Sequence, residues 1–214
     1  MKSEKSIIYK IATYIALPIY TLLIKTRSEG EHFIPTDGPI ILVSNHISFL
    51  DPLAMGFLAR RRKRQISFLA KDALFKNPIL RWFFTQCHQI PVHRGTDKAA
   101  DSLIDAEKAL KKGACICFYP EATISNNEEL LPIKSGAIRL AQKTGCEVVV
   151  IGTYGAHRIW TKGSGFRLKF RTKHTMIVSK GYKIDPDQNI ETAKKELAAK
   201  MTELAQTAKK RQGK

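Results

Sequence analysis

The chain has 214 residues and a hydrophobic fraction of 43%, enough for one domain with a real core, which excludes a disordered chain and a small disulfide-stapled scaffold. Lys and Arg number 36 against 19 Asp and Glu, a formal net charge of +17. Residues 1–59 carry five charges of each sign, so the whole excess lies from Arg60 onward and implies an anionic partner: a phospholipid surface, a phosphorylated substrate or nucleic acid.

From Ile11 to Ile24 runs an uncharged stretch of 14 residues bounded by Lys10 and Lys25. A spanning helix needs about 20 apolar residues. With Tyr9, Tyr14, Tyr20 and Pro18, residues 1–24 read as an N-terminal helix lying on a membrane interface; a helix docked on the protein's own core is the alternative. No small-residue cleavage pattern follows it. Pro39–Ser44 is a continuous apolar strand after Asp37-Gly38. Pro52–Arg62 reads as a helix with Asp51 as its cap and Pro52 at its first position, and it ends in the acid-free run Arg60-Arg61-Arg62-Lys63-Arg64. Ile66–Ala70 is a second strand, Ala73–Phe84 is helical with a break at Asn77-Pro78, and Ile90–Val92 ends another strand. Asp97–Lys112 is a helix with Ala100, Leu103, Ala106 and Leu110 on one stripe, stopped at Gly113.

Ala114–Tyr119 is again apolar throughout, and as a strand it turns Cys115 and Cys117 to one side. With Cys87 and Cys146 they read as reduced, structural cysteines of a cytosolic protein rather than a metal or disulfide set. Ser135–Thr144 is helical and Glu147–Ile151 is an apolar strand. Phe166, Leu168 and Phe170 alternate with Arg167, Lys169 and Arg171, which predicts a half-exposed strand over 166–173 with a cationic face; residues 158–183 hold eight cations and no acid. Ile190, Ala193, Leu197, Met201, Leu204 and Ala208 trace a closing amphipathic helix. Apolar strands alternating with helices indicate an α/β fold, a largely parallel central sheet covered by helices. The core domain spans 25–188, and 189–214 form a C-terminal helix and basic tail.

Three polar constellations follow strands, where such sheets gather their sites. His46 and Asp51 flank a loop that can bring the carboxylate to one imidazole nitrogen and leave the other as a base. Arg94, beside Gly95, carries a planar fork suited to phosphate. Glu121 ends the Ala114–Tyr119 strand, and Ser48 is a rival nucleophile. In this order the segments resemble the glycerolipid acyltransferase family: Asn45-His46 with Asp51 matches its N-H-x4-D motif, Ile90-Pro91-Val92-His93-Arg94 its second motif, and Tyr119-Pro120-Glu121-Ala122-Thr123-Ile124-Ser125 its F-P-E-G-T-R-S. Val148–Ile151 matches the apolar fourth motif, and Lys71-Asp72-Ala73-Leu74-Phe75 matches the K-x-x-L-F stretch between the first two.

The resemblance covers about residues 25–180 and implies acyl transfer from acyl-CoA or acyl carrier protein to a lysophospholipid, most naturally 1-acylglycerol-3-phosphate, at the cytoplasmic face of the membrane. It makes His46 the general base, Asp51 its orienting partner, and Arg94 and Glu121 the acceptor site, with Lys71, Gly95, Thr123 and Arg158 completing the substrate-binding set. No metal and no cofactor is implied. Ala122 and Ile124 stand where the family has glycine and arginine, which leaves the acceptor headgroup open. The alternatives are a different lysolipid acceptor, a catalytically silent membrane-binding homologue, and nucleic-acid binding.

Overall fold

The structure, a computed structural model, describes residues 6–92 and 99–213. Seven strands form one sheet: β1 (Ile24–Glu29), β2 (Ile40–Ser44), β3 (Ile66–Lys71), β4 (Ile90–Val92), β5 (Cys115–Phe118), β6 (Val148–Tyr154) and β7 (Thr172–Val178). Their order is β1-β7-β6-β2-β5-β3-β4, and every neighbouring pair is parallel except β6 with β7. The central strands β2, β5 and β6 are buried at every position and mostly apolar because both faces are covered, as parallel sheets require. Along β2, Ile40 and Leu42 enter one core, whereas Ile41 and Val43 enter the other.

The first core is covered by α1 (Ile7–Leu23) and α2 (Asp51–Arg61), the second by α4 (Ala99–Lys111), α5 (Gly136–Thr144) and α6 (Ile190–Gln212). Between β3 and β4 a short 3-10 turn, Asp72–Phe75, and α3 (Pro78–Gln86) stand with no buried side chain. Cys115 and Cys117 both face the first core as free thiols, and burial pushes the Cys115 thiol up to about 12. Gly152 of β6 lets α6 approach closely, since a Cβ there would overlap the backbone of Leu204 and Ala205.

Three sequence expectations change, and one strand goes unannounced. Residues 166–171 are irregular and the strand begins only at Thr172. Parallel pairing with β1 starts at Ile24↔Thr172, so upstream of Thr172 there is no neighbouring strand among the described residues, and Phe166, Leu168 and Phe170 are exposed rather than set against a core. β1 itself, Ile-Lys-Thr-Arg-Ser-Glu, is an edge strand too polar to announce itself. Asp51 is not a cap: Leu50 holds that position, and the Asp51 carboxylate bends back to the preceding loop. The 60–64 cations are largely structural. Arg64 is buried and donates to the carbonyls of Pro35, Gly38 and Gly113, Arg62 donates to Ile34, Arg61 pairs with Glu31, and Arg60 lies over the Tyr14 ring.

α1 buries one side on the protein's own core and leaves the other exposed. Leu17, Tyr20 and Leu23 are buried, whereas Ile7, Ile11, Tyr14, Ile15, Ile19 and Leu22 are exposed. Among the described residues no helix is long and apolar enough to cross a membrane.

Candidate active site

β2 stops where its neighbour β6 runs on, and Asn45 seals the gap. Its amide donates to the Thr153 carbonyl (3.0 Å) and accepts from the Thr153 N–H (2.8 Å). The chain then turns through His46–Leu50 into α2. Asp51, fully buried, gathers that loop on one oxygen: Oδ2 accepts from the N–H groups of Ile47 and Ser48 (both 2.8 Å) and lies 2.9 Å from His46 Nδ1. An oxygen already accepting two N–H bonds takes the imidazole proton as a third, so Nδ1 carries the hydrogen. In the neutral imidazole this leaves the lone pair on Nε2, which has no partner among the described residues.

The loop after β5 closes the other side. Tyr119 stacks on the His46 ring, centroids 4.1 Å apart at 20°. Glu121 is buried, and its two oxygens accept from the backbone N–H groups of His46 (2.6 Å) and Leu131 (3.0 Å). Burial pushes its carboxyl above the usual range, opposed by these two N–H bonds. The Ser125 N–H donates to the His46 carbonyl at 2.8 Å. Ala122 holds φ +58°, the left-handed region that favours glycine. The segment after β6 is the third wall: Ser48 Oγ donates to the Trp160 carbonyl (2.6 Å), and Thr161 Oγ1 donates to the carbonyls of Ile47 (2.7 Å) and Ser125 (3.3 Å).

Of the expected residues, His46, Asp51 and Glu121 converge. Each Glu121 oxygen accepts from a backbone N–H, so the carboxylate ties the two loops together. Thr123 is exposed and accepts from Lys162 Nζ at 3.2 Å. Lys71 ends β3 at the same edge of the sheet, exposed and opposite Val92. Arg158 is exposed over the Tyr154 ring. Arg94 and Gly95 lie outside the described residues. Ser48 is buried with its hydroxyl donating to the Trp160 carbonyl and accepting from Leu50 N–H, so this hydroxyl is engaged rather than poised for attack. Ile124 is buried, so its position packs rather than presenting a charge. Sequence reasoning passed over the stacking role of Tyr119 and the contribution of Trp160, Thr161 and Lys162; the acid-free run from 158 was their one visible signal. Among the described residues no three His, Cys, Asp or Glu side chains converge to hold a metal ion.

An imidazole pinned by a buried carboxylate, with its far nitrogen open, can take a proton from a hydroxyl. The family model described as Acyltransferase matches residues 25–153, from β1 into β6. The chain belongs to the acyltransferase family. It is similar to a chloroplastic 1-acyl-sn-glycerol-3-phosphate acyltransferase of Brassica napus, 35% identical over 142 residues, 65% of this chain and 40% of that protein. To one of Chlamydomonas reinhardtii it is 30% identical over 174 residues, 80% of this chain and 49% of that protein. The crystal structure of the 1-acyl-sn-glycerophosphate (LPA) acyltransferase PlsC from Thermotoga maritima matches with TM-score 0.76 at 26% identity, covering 94% of this acyltransferase-family chain and 79% of that one. The chain thus spans 40% and 49% of the length of these two curated relatives.

Proposed function

We propose that this chain moves a fatty acyl group from an acyl thioester, acyl-CoA or acyl carrier protein, to the free hydroxyl of a lysophospholipid, with 1-acylglycerol-3-phosphate as acceptor and phosphatidic acid as product. The observation that carries this reading is the His46–Asp51 pair, with Nδ1 committed to the buried carboxylate and Nε2 open. As the acceptor hydroxyl attacks the thioester carbonyl, its proton passes to Nε2, and Asp51 opposes the imidazolium that forms. Collapse of the tetrahedral intermediate breaks the C–S bond, and the proton on Nε2 goes to the departing thiolate. The balance is ester plus free thiol, with no covalent acyl-enzyme, which agrees with the engaged hydroxyl of Ser48. In this proposal Arg94, by resemblance to the family's second motif, helps to hold the acceptor phosphate.

A lipid acceptor calls for a lipid-facing rim, and exposed apolar groups stand beside this site. Phe49 of the His46 loop packs on Trp160 at 4.8 Å, Trp160 meets Phe166 edge-on at 5.8 Å, and Leu168 and Phe170 continue the row. The row ends where the Arg171 N–H donates to the Leu22 carbonyl at the end of α1, whose outer face is apolar. Interleaved Arg167, Lys169 and Arg171 suit anionic headgroups. These features support a peripheral or monotopic position on a membrane, which the proposal sets at its cytoplasmic face.

Incubation of the full chain with acyl-CoA and a panel of lysolipids, with products read by mass, tests the proposal. Phosphatidic acid formed from 1-acylglycerol-3-phosphate is the expected result. Absence of any acylated product across the panel, with either donor type, would overturn it.

A further inference from the structure

Beside the His46 loop, the segment after β6 and the loop after β5 enclose a cleft of about 450 Å³. Its lining includes four cations, Arg158, Lys162, Arg167 and Lys169, with Asn126 and Ser164 as neutral hydrogen-bonding groups. Among the described residues none of the four meets a carboxylate. Glu128, the acid at the cleft's edge, is committed to His157 and Lys209, each at 2.9 Å. From Arg158 to Lys183 the sequence contains no acid to supply one.

Four cationic side chains line one open concavity, and a multiply charged anion would relieve their mutual repulsion. The cleft is also built into the reacting centre rather than set apart from it. Thr161, within its wall, is bonded to the carbonyls of Ile47 and Ser125, and Lys162 reaches Thr123. Ordinary solvated surface cations would show neither the concavity nor these ties to both loops that hold His46.

We infer that this cleft binds the terminal phosphomonoester of a substrate, a dianion that offers three oxygens to four cations. The inference rests on the acyltransferase reading for its choice of ligand. Two substrates of that reaction carry the group: the acceptor, through its glycerol phosphate, and acyl-CoA, through its ribose 3′-phosphate. Either would be held by Lys162 and Arg167, with the reacting carbon chain leading past Thr123 toward His46.

Calorimetric titration of the full chain separates these cases without relying on turnover. The probes are matched pairs: 1-hexanoylglycerol-3-phosphate with 1-hexanoylglycerol, and adenosine 3′,5′-bisphosphate with adenosine 5′-monophosphate. In at least one pair the phosphorylated member should bind about tenfold or more tightly, the worth of one charged hydrogen bond. Lys162→Ala and Arg167→Ala should each erase that preference, whereas Lys195→Ala on the far face of α6 should keep it. Loss in the lysolipid pair assigns the site to the acceptor, and loss in the nucleotide pair assigns it to the donor. Among the described residues Lys162 makes one exposed bond and the Arg167 side chain makes none, so unchanged melting temperatures certify the variants' folds. If no pair shows a phosphate preference, or if both variants retain it, the site does not exist. Failure of acyl transfer alone would remove the proposed reaction and leave a measured phosphate preference standing.

Discussion

Glu121→Gln separates a group that touches substrate from one that holds two loops. The carboxylate accepts from His46 N–H at 2.6 Å and Leu131 N–H at 3.0 Å, and it is buried. Hydrogen bonds to a charged group are worth about 1.5–3 kcal/mol each. Glutamine offers one carbonyl, so it keeps one bond in neutral form and turns an NH₂ toward the other donor. That buried N–H then bears a desolvation cost of about 1–3 kcal/mol. Relief of the buried carboxylate, whose pKa is already pushed up, returns part of the loss. The net destabilisation is about 1–3 kcal/mol, which for a chain of this size lowers the melting temperature by roughly 3–10 °C. Differential scanning calorimetry reads that shift, and steady-state kinetics should show kcat falling because His46 shares the disturbed loop. An unchanged melting temperature with a raised acceptor KM alone would refute the assignment and return Glu121 to the acceptor site.

Ile124→Arg, which installs the family's commoner residue, should destabilise by about 1–3 kcal/mol because the position is buried, and it should not improve acylation of 1-acylglycerol-3-phosphate; denaturant midpoints and initial rates check both, and a stable, faster variant would contradict the burial argument. Ile15→Glu with Ile19→Glu should leave stability within about 0.5 kcal/mol, since both side chains are exposed, yet abolish most binding to anionic vesicles, because each buried isoleucine is worth about 1.5–3 kcal/mol. Flotation with unchanged vesicle binding would remove α1 from the lipid surface. His174 is fully buried, and burial pushes its imidazole down to about 4. Between the ordinary value of about 6.5 and 4, the unfolded chain binds a proton that the folded chain refuses, so stability falls as pH falls, by up to about 3 kcal/mol. Urea titrations at pH 7 and pH 4.5 should show this slope in the parent and a shallower one in His174→Asn; equal slopes would refute it.

The apolar strands were readable because burial on both faces removes any polar position, as along Ile40–Val43 and Val148–Ile151. The same logic fails at the sheet's edge. β1 is Ile24-Lys25-Thr26-Arg27-Ser28-Glu29, with water available on one side, and nothing in its composition demands a strand. The alternation of Phe166–Arg171 misled for the complementary reason: period two describes a strand only where a neighbour supplies hydrogen bonds and a core supplies a face. In the site, the His46–Asp51 pairing was within local reach, five residues apart. The bond from His46 N–H to Glu121, 75 residues away, depends on β2 and β5 being neighbours, and so does the stacking of Tyr119. The role of Thr161 depends likewise on β6 lying beside β2. The charge run from Arg158 was visible in sequence, but its curvature into a cleft was not, because that is imposed by Thr161 bonding to two other loops.

The central claim is that His46 Nε2 takes the acceptor proton, and the rate of acyl transfer by His46→Ala, beside a melting curve of the same variant, tests it most directly. His46 is a loop residue whose side chain makes one hydrogen bond, so the fold should survive its loss. The account expects a rate about 10²–10⁴-fold below the parent's at saturating acyl-CoA and 1-acylglycerol-3-phosphate. A folded His46→Ala protein that still acylates the lysolipid at close to the parent rate would contradict it.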